Sequence, residues 1–263
     1  MKNALIAALR IAGDELVKHF GNNVDSEMKE SQSSIVTQAD LKSDYLIVSY
    51  IEEKFPFHSI LSEESGYRNK NSKFTWVIDP LDGTSNFASA VPWFGTLITL
   101  FENNLPIMAG AYLPIQDHLY FAEKGKGANR NGVPFSIVGN KDLKNSLVTF
   151  SVDFTDDKKV LDWSINIYKN LVKASRNIRS TNSLVDFLYV AEGKFGGCIN
   201  LFTKVWDISG LGLIISEAGG IMKNITGDDI KFIMNKKILT ENFAVMVGSE
   251  RIIEEIKQEV LKI

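Results

Sequence analysis

The spacing of apolar residues in the first part of the chain predicts two amphipathic helices. The first ends at Gly21 and has apolar residues at helical spacing at Leu5, Leu9, Ala12, Leu16 and Phe20. The second begins near Asp40, stops before Pro56 and has such residues at Leu41, Tyr45, Val48, Ile51 and Phe55. Residues 22–36, between the two helices, are polar, and we expect them to form a loop.

Short apolar runs predict strands after the second helix. Residues 59–61 and 74–78 form two such runs, and each is followed directly by acidic residues. Further apolar runs between Phe94 and Ala122 are separated by turn residues, a spacing typical of an antiparallel meander. Asn131-Gly132 is a strong signal for a hairpin turn.

Beyond about residue 145, strand and helix patterns alternate. The predicted strands are 147–151, 175–178, 196–200 and 244–247, and the predicted helices are 158–172, 184–191, 208–218 and 250–261, the last capped by Ser249. The first half of the chain therefore has the pattern of an α+β fold and the second half that of an α/β fold, as layers that share one core. Because the sequence has no obvious linker or repeat, we expect one domain over residues 1–263, with an α+β half of about 1–140 and an α/β half of about 141–263.

Composition and charge exclude several classes of protein. With 44% hydrophobic residues, 23% charged residues and a formal net charge of −3, the chain lacks the clustered positive charge of a dedicated nucleic-acid binder. A single cysteine, Cys198, excludes an internal disulfide and a cysteine-cluster zinc site. The longest early apolar stretch, residues 4–9, ends at Arg10 and is too short for a signal peptide or a membrane span. We therefore expect a cytoplasmic protein without a nucleic-acid or membrane partner.

The residues with candidate chemistry are carboxylates near the ends of predicted elements. They are Glu63 and Glu64 after one strand, Asp79 and Asp82 after the next, and Asp40 and Asp207 beside the starts of helices. Carboxylates at strand ends can converge on one edge of a sheet, where α/β proteins usually bind ligands. Because like charges that meet there repel, we expect divalent cations between them. Oxygen ligands without nearby histidine or cysteine favour Mg²⁺, Mn²⁺ or Ca²⁺ over zinc.

The segment that follows the strand at 74–78 carries the strongest local constraints. Pro80 cannot continue the hydrogen-bond ladder of this strand, so we expect the chain to leave the sheet directly after Asp79. Asp82 can then fold back beside Asp79, and the Leu81 carbonyl between them can act as a third oxygen ligand. Gly83 allows a ligand to approach the backbone closely, and a helical turn that begins after it would point its first amides towards a phosphate.

Each of these carboxylates also has a purely structural interpretation. Asp82-Gly83 is a common sequence in ordinary surface turns. Asp40 and Asp207 stand where an N-cap residue would begin a helix. Glu63 and Glu64 can be a solvated pair that follows a strand.

Longer stretches resemble the signatures of the inositol monophosphatase family. Residues 76–87, Trp-Val-Ile-Asp-Pro-Leu-Asp-Gly-Thr-Ser-Asn-Phe, resemble the first signature, and residues 206–212, Trp-Asp-Ile-Ser-Gly-Leu-Gly, continuing to Gly220, resemble the second. Other family elements match in the expected order at residues 36–40, 60–65 and 125–128. The resemblance extends from about residue 30 to about residue 225.

The resemblance implies a layered αβαβα fold and a Mg²⁺-dependent, lithium-sensitive phosphomonoesterase that is often a homodimer. It implies that Glu63, Asp79 and the Leu81 carbonyl bind a first Mg²⁺ and that Asp79, Asp82 and Asp207 bind a second, with two or three ions in each active site. Two cations can bridge a phosphate, neutralise its charge and hold the attacking and leaving oxygens in line.

Roles for further residues follow from the same resemblance. Asp40 and Thr84 match the pair that orients and deprotonates the nucleophilic water, and Glu64 matches a carboxylate that lies behind the metal ligands or binds a further metal-bound water. Lys29 stands in the place of a basic residue on the family's active-site loop, although a solvated charge is the alternative. The substrate contacts implied in this way are Asp82, Gly83, Thr84, Ser85, Asn200 and Lys29.

Two departures from the family pattern concern the substrate. Thr181-Asn182-Ser183-Leu184 stands where inositol-phosphate enzymes of the family usually have Gly-Ser/Thr-Ala-Ala, and we expect Leu184 to narrow the pocket. Asn200 stands where a glutamate usually contacts sugar hydroxyls.

We therefore expect an enzyme that hydrolyses a small phosphorylated polyol or sugar by in-line attack of a metal-activated water, without a phosphoenzyme, because no serine, cysteine or histidine nucleophile is evident. One alternative is a different substrate of the same family: 3′-phosphoadenosine 5′-phosphate, fructose 1,6-bisphosphate or histidinol phosphate. The other is a regulatory, protein-binding member of the family in which catalysis is incidental.

Overall fold

The computed structural model describes residues 1–21, 26–31, 34–137 and 142–262. The α-helices in these ranges are α1 (Lys2–His19), α2 (Gln38–Lys54), α3 (Thr84–Ala88), α4 (Lys158–Ala174), α5 (Leu184–Ala191), α6 (Val205–Glu217) and α7 (Glu250–Glu255). A π-helix, Ile256–Leu261, continues α7, and short 3₁₀ helices lie at Leu143–Asn145 and Lys236–Leu239.

The strands of the first half are β1 (Ser26–Ser31), β2 (Ser34–Thr37), β3 (Ser59–Ser62), β4 (Gly66–Arg68), β5 (Phe74–Asp82), β6 (Gly95–Glu102), β7 (Leu105–Leu113), β8 (His118–Glu123), β9 (Ala128–Arg130) and β10 (Val133–Phe135). Those of the second half are β11 (Leu147–Ser151), β12 (Asn177–Arg179), β13 (Gly197–Thr203), β14 (Ile221–Asn224) and β15 (Phe243–Gly248).

Each half of the chain contributes one large sheet. The first sheet has the order β10-β9-β8-β7-β6-β5-β3-β4, in which β3 and β5 are parallel and the other described neighbours are antiparallel. It confirms the predicted meander, here β6 to β8, and the hairpin at Asn131-Gly132. The second sheet has the order β12-β11-β13-β15-β14, with β11 parallel to both of its neighbours and β15 antiparallel to both of its own.

Three layers of helices alternate with the two sheets. On the outer face of the first sheet, Leu9 of α1 and Ile47 of α2 pack in one buried cluster with Trp76 of β5. Between the sheets, α5 and α6 form a second cluster with residues of both sheets. On the far side of the second sheet, α4 and α7 form a third cluster. The layers follow each other as αβαβα, which confirms the predicted fold, whereas the single domain over residues 1–263 stays a prediction.

The prediction of a loop over residues 22–36 is wrong within the described ranges. Strands β1 and β2 pair antiparallel there, with Met28 opposite Ile35. Residues 22–25 and 32–33 lie outside the described residues. A polar hairpin is held by backbone hydrogen bonds, and its sequence shows no regular alternation of apolar and polar residues from which strands could be predicted.

The prediction that the chain leaves the sheet directly after Asp79 is also wrong. Strand β5 continues to Asp82, with Asp79 opposite Leu97, Asp82 opposite Gly95 and an irregular register between the two pairs. Residues 80 and 81 therefore stand opposite one residue of β6, which is the arrangement of a β-bulge. A bulge position does not require the N–H donor that proline lacks, so the strand passes through Pro80 with a local bend.

Smaller differences concern the boundaries of elements. Helix α6 begins one turn before the predicted Ile208, and the short strands β4 and β14 were not predicted. Ser249 caps α7 as expected, because its Oγ accepts a hydrogen bond from the Ile252 N–H at 3.3 Å. None of the helices in the described ranges combines the length and the apolar character needed to cross a bilayer.

Helix α6 packs closely on the first sheet at Gly210. A Cβ added to Gly210 would lie 2.5 Å from Oγ1 of the buried Thr99 and 3.5 Å from the Ala109 Cβ. Gly212, two residues further along the same helix, faces open space apart from the Met222 side chain, whose Sδ would lie 3.4 Å from an added Cβ. Substitution of each glycine by alanine therefore distinguishes the effect of close packing, at Gly210, from the effect of helix propensity, at Gly212.

We predict that alanine at these two positions has different effects on the free energy of unfolding. Gly210→Ala lowers the free energy of unfolding by about 1–3 kcal/mol, because strand β6 and α6 must move apart. Gly212→Ala leaves it unchanged or raises it by up to about 1 kcal/mol, because alanine favours the helix. Chemical denaturation of both variants and the unmodified protein measures the difference. Equal stability of the two variants would contradict the close packing of α6 on the sheet.

Candidate metal centre and active site

A cavity of about 910 Å³ lies where ends of strands from both sheets meet the first turns of α3 and α6. Its lining includes nearly all of the candidate residues from the sequence: Lys29, Glu63, Glu64, Asp79, Leu81, Asp82, Gly83, Thr84, Ser85, Asn200 and Asp207. The remaining candidate, Asp40, lies behind Thr84 and is hydrogen-bonded to it. The structure thus brings together residues that are up to 178 positions apart in the chain, from Lys29 to Asp207.

Three carboxylates form a tight cluster in this cavity. Asp79, Asp82 and Asp207 each offer one oxygen atom, and these atoms all lie within 4.8 Å of one another. The β5 bulge positions the first two, and the first turn of α6 positions the third. A backbone N–H holds each carboxylate: Leu81 donates to Asp79 at 3.1 Å, Leu184 to Asp82 at 2.6 Å, and Lys204 to Asp207 at 2.7 Å.

The electrostatics of this cluster favour a bound cation. Burial, reinforced by the charges of Glu63, Asp82 and Asp207, raises the pKa of Asp79 well above its usual value. Burial together with Asp82 and Glu63 does the same to the pKa of Asp207. Burial raises the pKa of Asp82 to about 7 in spite of the hydrogen bond from Leu184, which lowers it. Raised pKa values show that the charged forms are disfavoured. A hard divalent cation would reverse this, and the all-oxygen donor set fits Mg²⁺, Mn²⁺ or Ca²⁺.

Glu63 and Glu64 share a partner in Lys29 of β1. The Lys29 Nζ donates to Glu63 Oε1 at 2.8 Å and also to Glu64 Oε1. The side chain of Glu64 is 8% exposed and that of Lys29 is 21% exposed, so neither is the solvated charge of the structural interpretation. Burial would lower the pKa of Lys29, but Glu63 and Glu64 raise it above its usual range. Burial and the charge of Glu63 raise the pKa of Glu64 to about 7.

Asp40 serves the helix and the site at once. It is the third residue of α2, and its Oδ2 accepts hydrogen bonds from the N–H of Thr37 at 2.8 Å and from the Thr37 hydroxyl at 2.5 Å. Its Oδ1 accepts a bond from Thr84 Oγ1 at 3.0 Å. Asp40 is only 1% exposed, and burial raises the pKa of its carboxyl. The N-cap itself is Thr37, so the N-cap interpretation of Asp40 is wrong.

Asp207 is built in the same way. It is the third residue of α6, which begins one turn before the predicted start at Ile208, and its Oδ2 caps the backbone of Lys204. In both helices a carboxylate reaches back to the N-cap backbone, as in a capping box. Capping uses only one carboxylate oxygen of Asp207, and the side chain still faces the cavity. Helix capping and ligand binding by Asp207 therefore do not exclude each other.

Gly83 forms the junction between the bulge and α3. Its backbone is left-handed, with φ +83°, and an added Cβ would lie 2.6 Å from the Trp93 carbonyl oxygen. Thr84 then begins α3, as expected, and its Oγ1 also lies 3.0 Å from the Leu81 carbonyl oxygen. Only glycine combines this φ with this close approach to neighbouring backbone, and the conformation turns Thr84 towards Asp40.

The expectation that Leu184 narrows the pocket is wrong. Its side chain is fully buried in the cluster between the sheets, and only its backbone N–H reaches the site, where it bonds Asp82. The first residue of α5 faces the interior because the apolar positions of that helix pack between the sheets. The identity of the residue at this position does not by itself show the direction of its side chain.

Asp153 and Asn182 line the same cavity but were not among the predicted site residues. The Asn182 Nδ2 donates to Asp153 Oδ1 at 2.9 Å, and burial raises the pKa of Asp153. Asp153 follows the end of β11, where Ser151 stands opposite Asn200 of β13. Asp153 could therefore have been predicted from the sequence, because carboxylates that follow strand ends gather at one edge of a sheet.

Comparisons with known proteins agree with the geometry. The chain matches the model of the inositol monophosphatase family over residues 1–261. It is 33% identical over 220 residues to a fructose-1,6-bisphosphatase/inositol-1-monophosphatase of Aquifex aeolicus, covering 83% of each chain. It is 30% identical over 263 residues to the Nus factor SuhB of Pasteurella multocida, covering 99% of this chain and 95% of the relative.

A solved structure has the same fold. The crystal structure of the extragenic suppressor protein suhB from Bartonella henselae superimposes with a TM-score of 0.89 at 26% sequence identity, covering 99% of this chain and 98% of that chain. The match of the family model along nearly the whole chain, the relatives at 30% identity or more and the shared fold all agree with the signatures found in the sequence. This protein belongs to the inositol monophosphatase family.

Proposed function

We propose that this protein is a Mg²⁺-dependent phosphatase that hydrolyses a small phosphorylated polyol or sugar by in-line attack of water on phosphorus. The observation that carries the proposal is the cluster of Asp79, Asp82 and Asp207, with carboxylate oxygens within 4.8 Å of one another in a large cavity. Such a cluster is unfavourable by itself and favourable around divalent cations, which in turn attract a phosphate dianion.

The proposed metal ligands divide into two sets. Glu63, Asp79 and the Leu81 carbonyl would hold one Mg²⁺, and Asp79, Asp82 and Asp207 would hold a second. Bound there, the ions would neutralise the phosphate, lower the pKa of a coordinated water and align attack with departure of the alcohol. Glu64 lies beside Glu63 with a pKa raised to about 7, and we assign it to a third ion or to a water of the first.

Asp40 and Thr84 are proposed to take the proton of the attacking water. The Thr84 hydroxyl donates to Asp40 Oδ1 at 3.0 Å, so its own oxygen can accept a hydrogen bond from that water. Burial raises the pKa of Asp40, which makes the carboxylate a stronger proton acceptor than an exposed aspartate. Gly83 and Ser85, on either side of Thr84, line the cavity and are proposed to contact the phosphate.

The part of the cavity lining that contains Asn200, Asp153 and Asn182 supports a substrate with hydroxyl groups. Asn200 is 8% exposed, and its Oδ1 accepts a bond from the Phe202 N–H at 3.1 Å, which leaves its Nδ2 as a donor. Asp153 bonds Asn182 through Oδ1, which leaves Oδ2 as an acceptor. Because a hydroxyl both donates and accepts, neighbouring hydroxyls of a polyol or sugar match a donor beside an acceptor. A second phosphate placed next to Asp153 would be repelled, which argues against a bisphosphate in that orientation.

We predict that Asp79→Asn or Asp207→Asn lowers kcat/KM by about a thousandfold or more, since several kcal/mol of transition-state stabilisation depend on the metal ions. The amide oxygen can still accept the backbone hydrogen bond, and one repelling charge is gone, so the variants should be as stable as the unmodified protein without metal. They should also lose most of the rise in melting temperature that Mg²⁺ gives the unmodified protein. Phosphate release and thermal unfolding with and without Mg²⁺ measure these effects.

Asp157→Asn is the matched control for this prediction. Asp157 caps α4 through hydrogen bonds to the N–H groups of Lys159 and Val160 and does not line the cavity. It undergoes the same chemical change as Asp79→Asn and should leave both activity and the Mg²⁺ effect unchanged. Normal turnover in Asp79→Asn or Asp207→Asn would contradict the proposed metal sites.

For Asn200→Ala we predict a KM about fivefold higher towards a polyol or sugar phosphate, with kcat nearly unchanged, because one hydrogen bond to a substrate hydroxyl is lost. Phenyl phosphate has no hydroxyl to offer and should be hydrolysed with the same KM by both proteins. Steady-state kinetics with the two kinds of ester checks this. An equal loss with both esters would instead place Asn200 in the reaction or in the fold.

The proposed function is tested most directly by phosphate release from a panel of phosphomonoesters in Mg²⁺. The panel should include inositol 1-phosphate, sugar monophosphates, fructose 1,6-bisphosphate, 3′-phosphoadenosine 5′-phosphate and histidinol phosphate. We expect the highest kcat/KM for a hydroxylated monophosphate and inhibition by Li⁺. No hydrolysis of any ester, with Mg²⁺ bound, would overturn the proposal.

A regulatory role is the second candidate, and the match to a protein named Nus factor SuhB favours it. Recovery of a stoichiometric macromolecular partner by a protein that turns over no phosphate ester would rank this candidate first. The intact set of Asp40, Glu63, Asp79, Asp82, Thr84 and Asp207 supports the enzyme, because binding a partner does not require all of them. The cytoplasmic location, the homodimer and the absence of a nucleic-acid partner stay predictions.

A further inference from the structure

The Pro80 carbonyl, in the middle of the β5 bulge, accepts hydrogen bonds from two buried hydroxyls. Ser43 Oγ of α2 donates at 2.9 Å, and Thr96 Oγ1 of β6 donates at 3.1 Å. Both side chains are 0% exposed. A carbonyl oxygen has two lone pairs, so these two donors occupy its full capacity.

This carbonyl lies in the β-bulge, where the regular hydrogen-bond pairing between β5 and β6 is interrupted. The pairing of β5 with β6 is regular up to Asp79 opposite Leu97 and resumes at Asp82 opposite Gly95. Thr96 is the single residue that faces the two bulged positions, and its side-chain hydroxyl bonds the Pro80 carbonyl. A bulge interrupts the ladder, and Pro80 has no N–H of its own to donate. Side-chain bonds therefore define the path of the backbone between the two aspartates.

Ser43 adds a link from the bulge to α2. It stands three residues after Asp40, and residues three apart lie on the same face of a helix. The bond from Ser43 to the Pro80 carbonyl thus ties the helix face that carries Asp40 to the segment that carries Asp79 and Asp82. A shift of the bulge would change the separation of the carboxylates and the distance from Asp40 to Thr84 together.

We propose that Ser43 and Thr96 are positioning residues for the acidic cluster, which they hold in ligand-binding geometry through the Pro80 carbonyl. Neither side chain lines the cavity, so neither touches a metal ion or a substrate. Loss of either hydroxyl leaves a buried carbonyl short of a partner and frees the bulge to relax, which spreads the mutually repelling Asp79 and Asp82. This inference rests on the proposed function, because it assumes that the cluster binds divalent cations.

The test compares Mn²⁺ affinity by calorimetric titration in the full-length protein. Ser43→Ala and Thr96→Val should each weaken Mn²⁺ binding about tenfold, the size of effect seen when groups behind metal ligands are removed. Thr96→Val keeps the shape and removes the hydroxyl, whereas Thr96→Ser removes a methyl group and keeps the hydroxyl. Thr96→Ser should therefore bind Mn²⁺ within about twofold of the unmodified protein, even where its free energy of unfolding falls.

Ser164→Ala is the control for loss of a buried hydroxyl in general. Ser164 is also 0% exposed on a helix, and its Oγ donates to a carbonyl, that of Val160, at 2.8 Å on the far side of the second sheet. This variant should bind Mn²⁺ normally.

The possible results distinguish failure of the positioning role from failure of the proposed function. Unchanged Mn²⁺ affinity in Ser43→Ala and Thr96→Val would overturn the positioning role. So would a loss of Mn²⁺ affinity in Thr96→Ser and Ser164→Ala equal to that in Ser43→Ala and Thr96→Val. Neither result would contradict the proposed phosphatase function. An unmodified protein that binds no Mn²⁺ would overturn the proposed function and this inference with it.

Discussion

Mutual repulsion among carboxylates is the constraint on which the rest of this structure depends. Asp79, Asp82 and Asp207 lie within 4.8 Å of one another, and burial together with their neighbours raises the pKa of each. A chain that brings like charges this close opposes its own folding unless cations bind between them. The layers of helix and sheet supply the compensating free energy through three buried hydrophobic clusters. The acidic cluster is thus a part of the molecule that lowers the stability of the fold, as expected for residues proposed to bind ligands.

Main-chain geometry keeps the carboxylates in place despite this repulsion. In the described part of the chain, each aspartate of the cluster binds a backbone N–H through one oxygen, and the other oxygen has no such bond. Asp40 follows the same scheme, with Oδ2 on the backbone of Thr37 and Oδ1 on Thr84. The starts of α2, α5 and α6 and a bulge in β5 supply these N–H groups. The elements that stabilise the fold locally therefore also orient the groups proposed for chemistry.

Local patterns predicted much of the secondary structure because they reflect local physics. Helix α5 lies at the predicted residues 184–191, and the turn at Asn131-Gly132 joins two short strands as expected. Predictions failed where pairing or packing with another segment decides the outcome. The polar residues 26–31 and 34–37 form strands only because they pair with each other, and Pro80 remains in a strand only because β6 accommodates a bulge there. Leu184 turns inward because the space between the sheets is apolar.

The amino-acid sequence by itself determined the kind of chemistry. Asp-Pro-Leu-Asp-Gly-Thr and Trp-Asp carry oxygen ligands in a chain with one cysteine and three histidines, and this composition points to a hard cation. Only the tertiary structure decided that Lys29 pairs with Glu63 and Glu64, and that Asp153 and Asn182 line the same cavity as Asn200. The reason is that residue type sets what a side chain can bind, whereas the crossing of strands and helices from distant parts of the chain sets where it points.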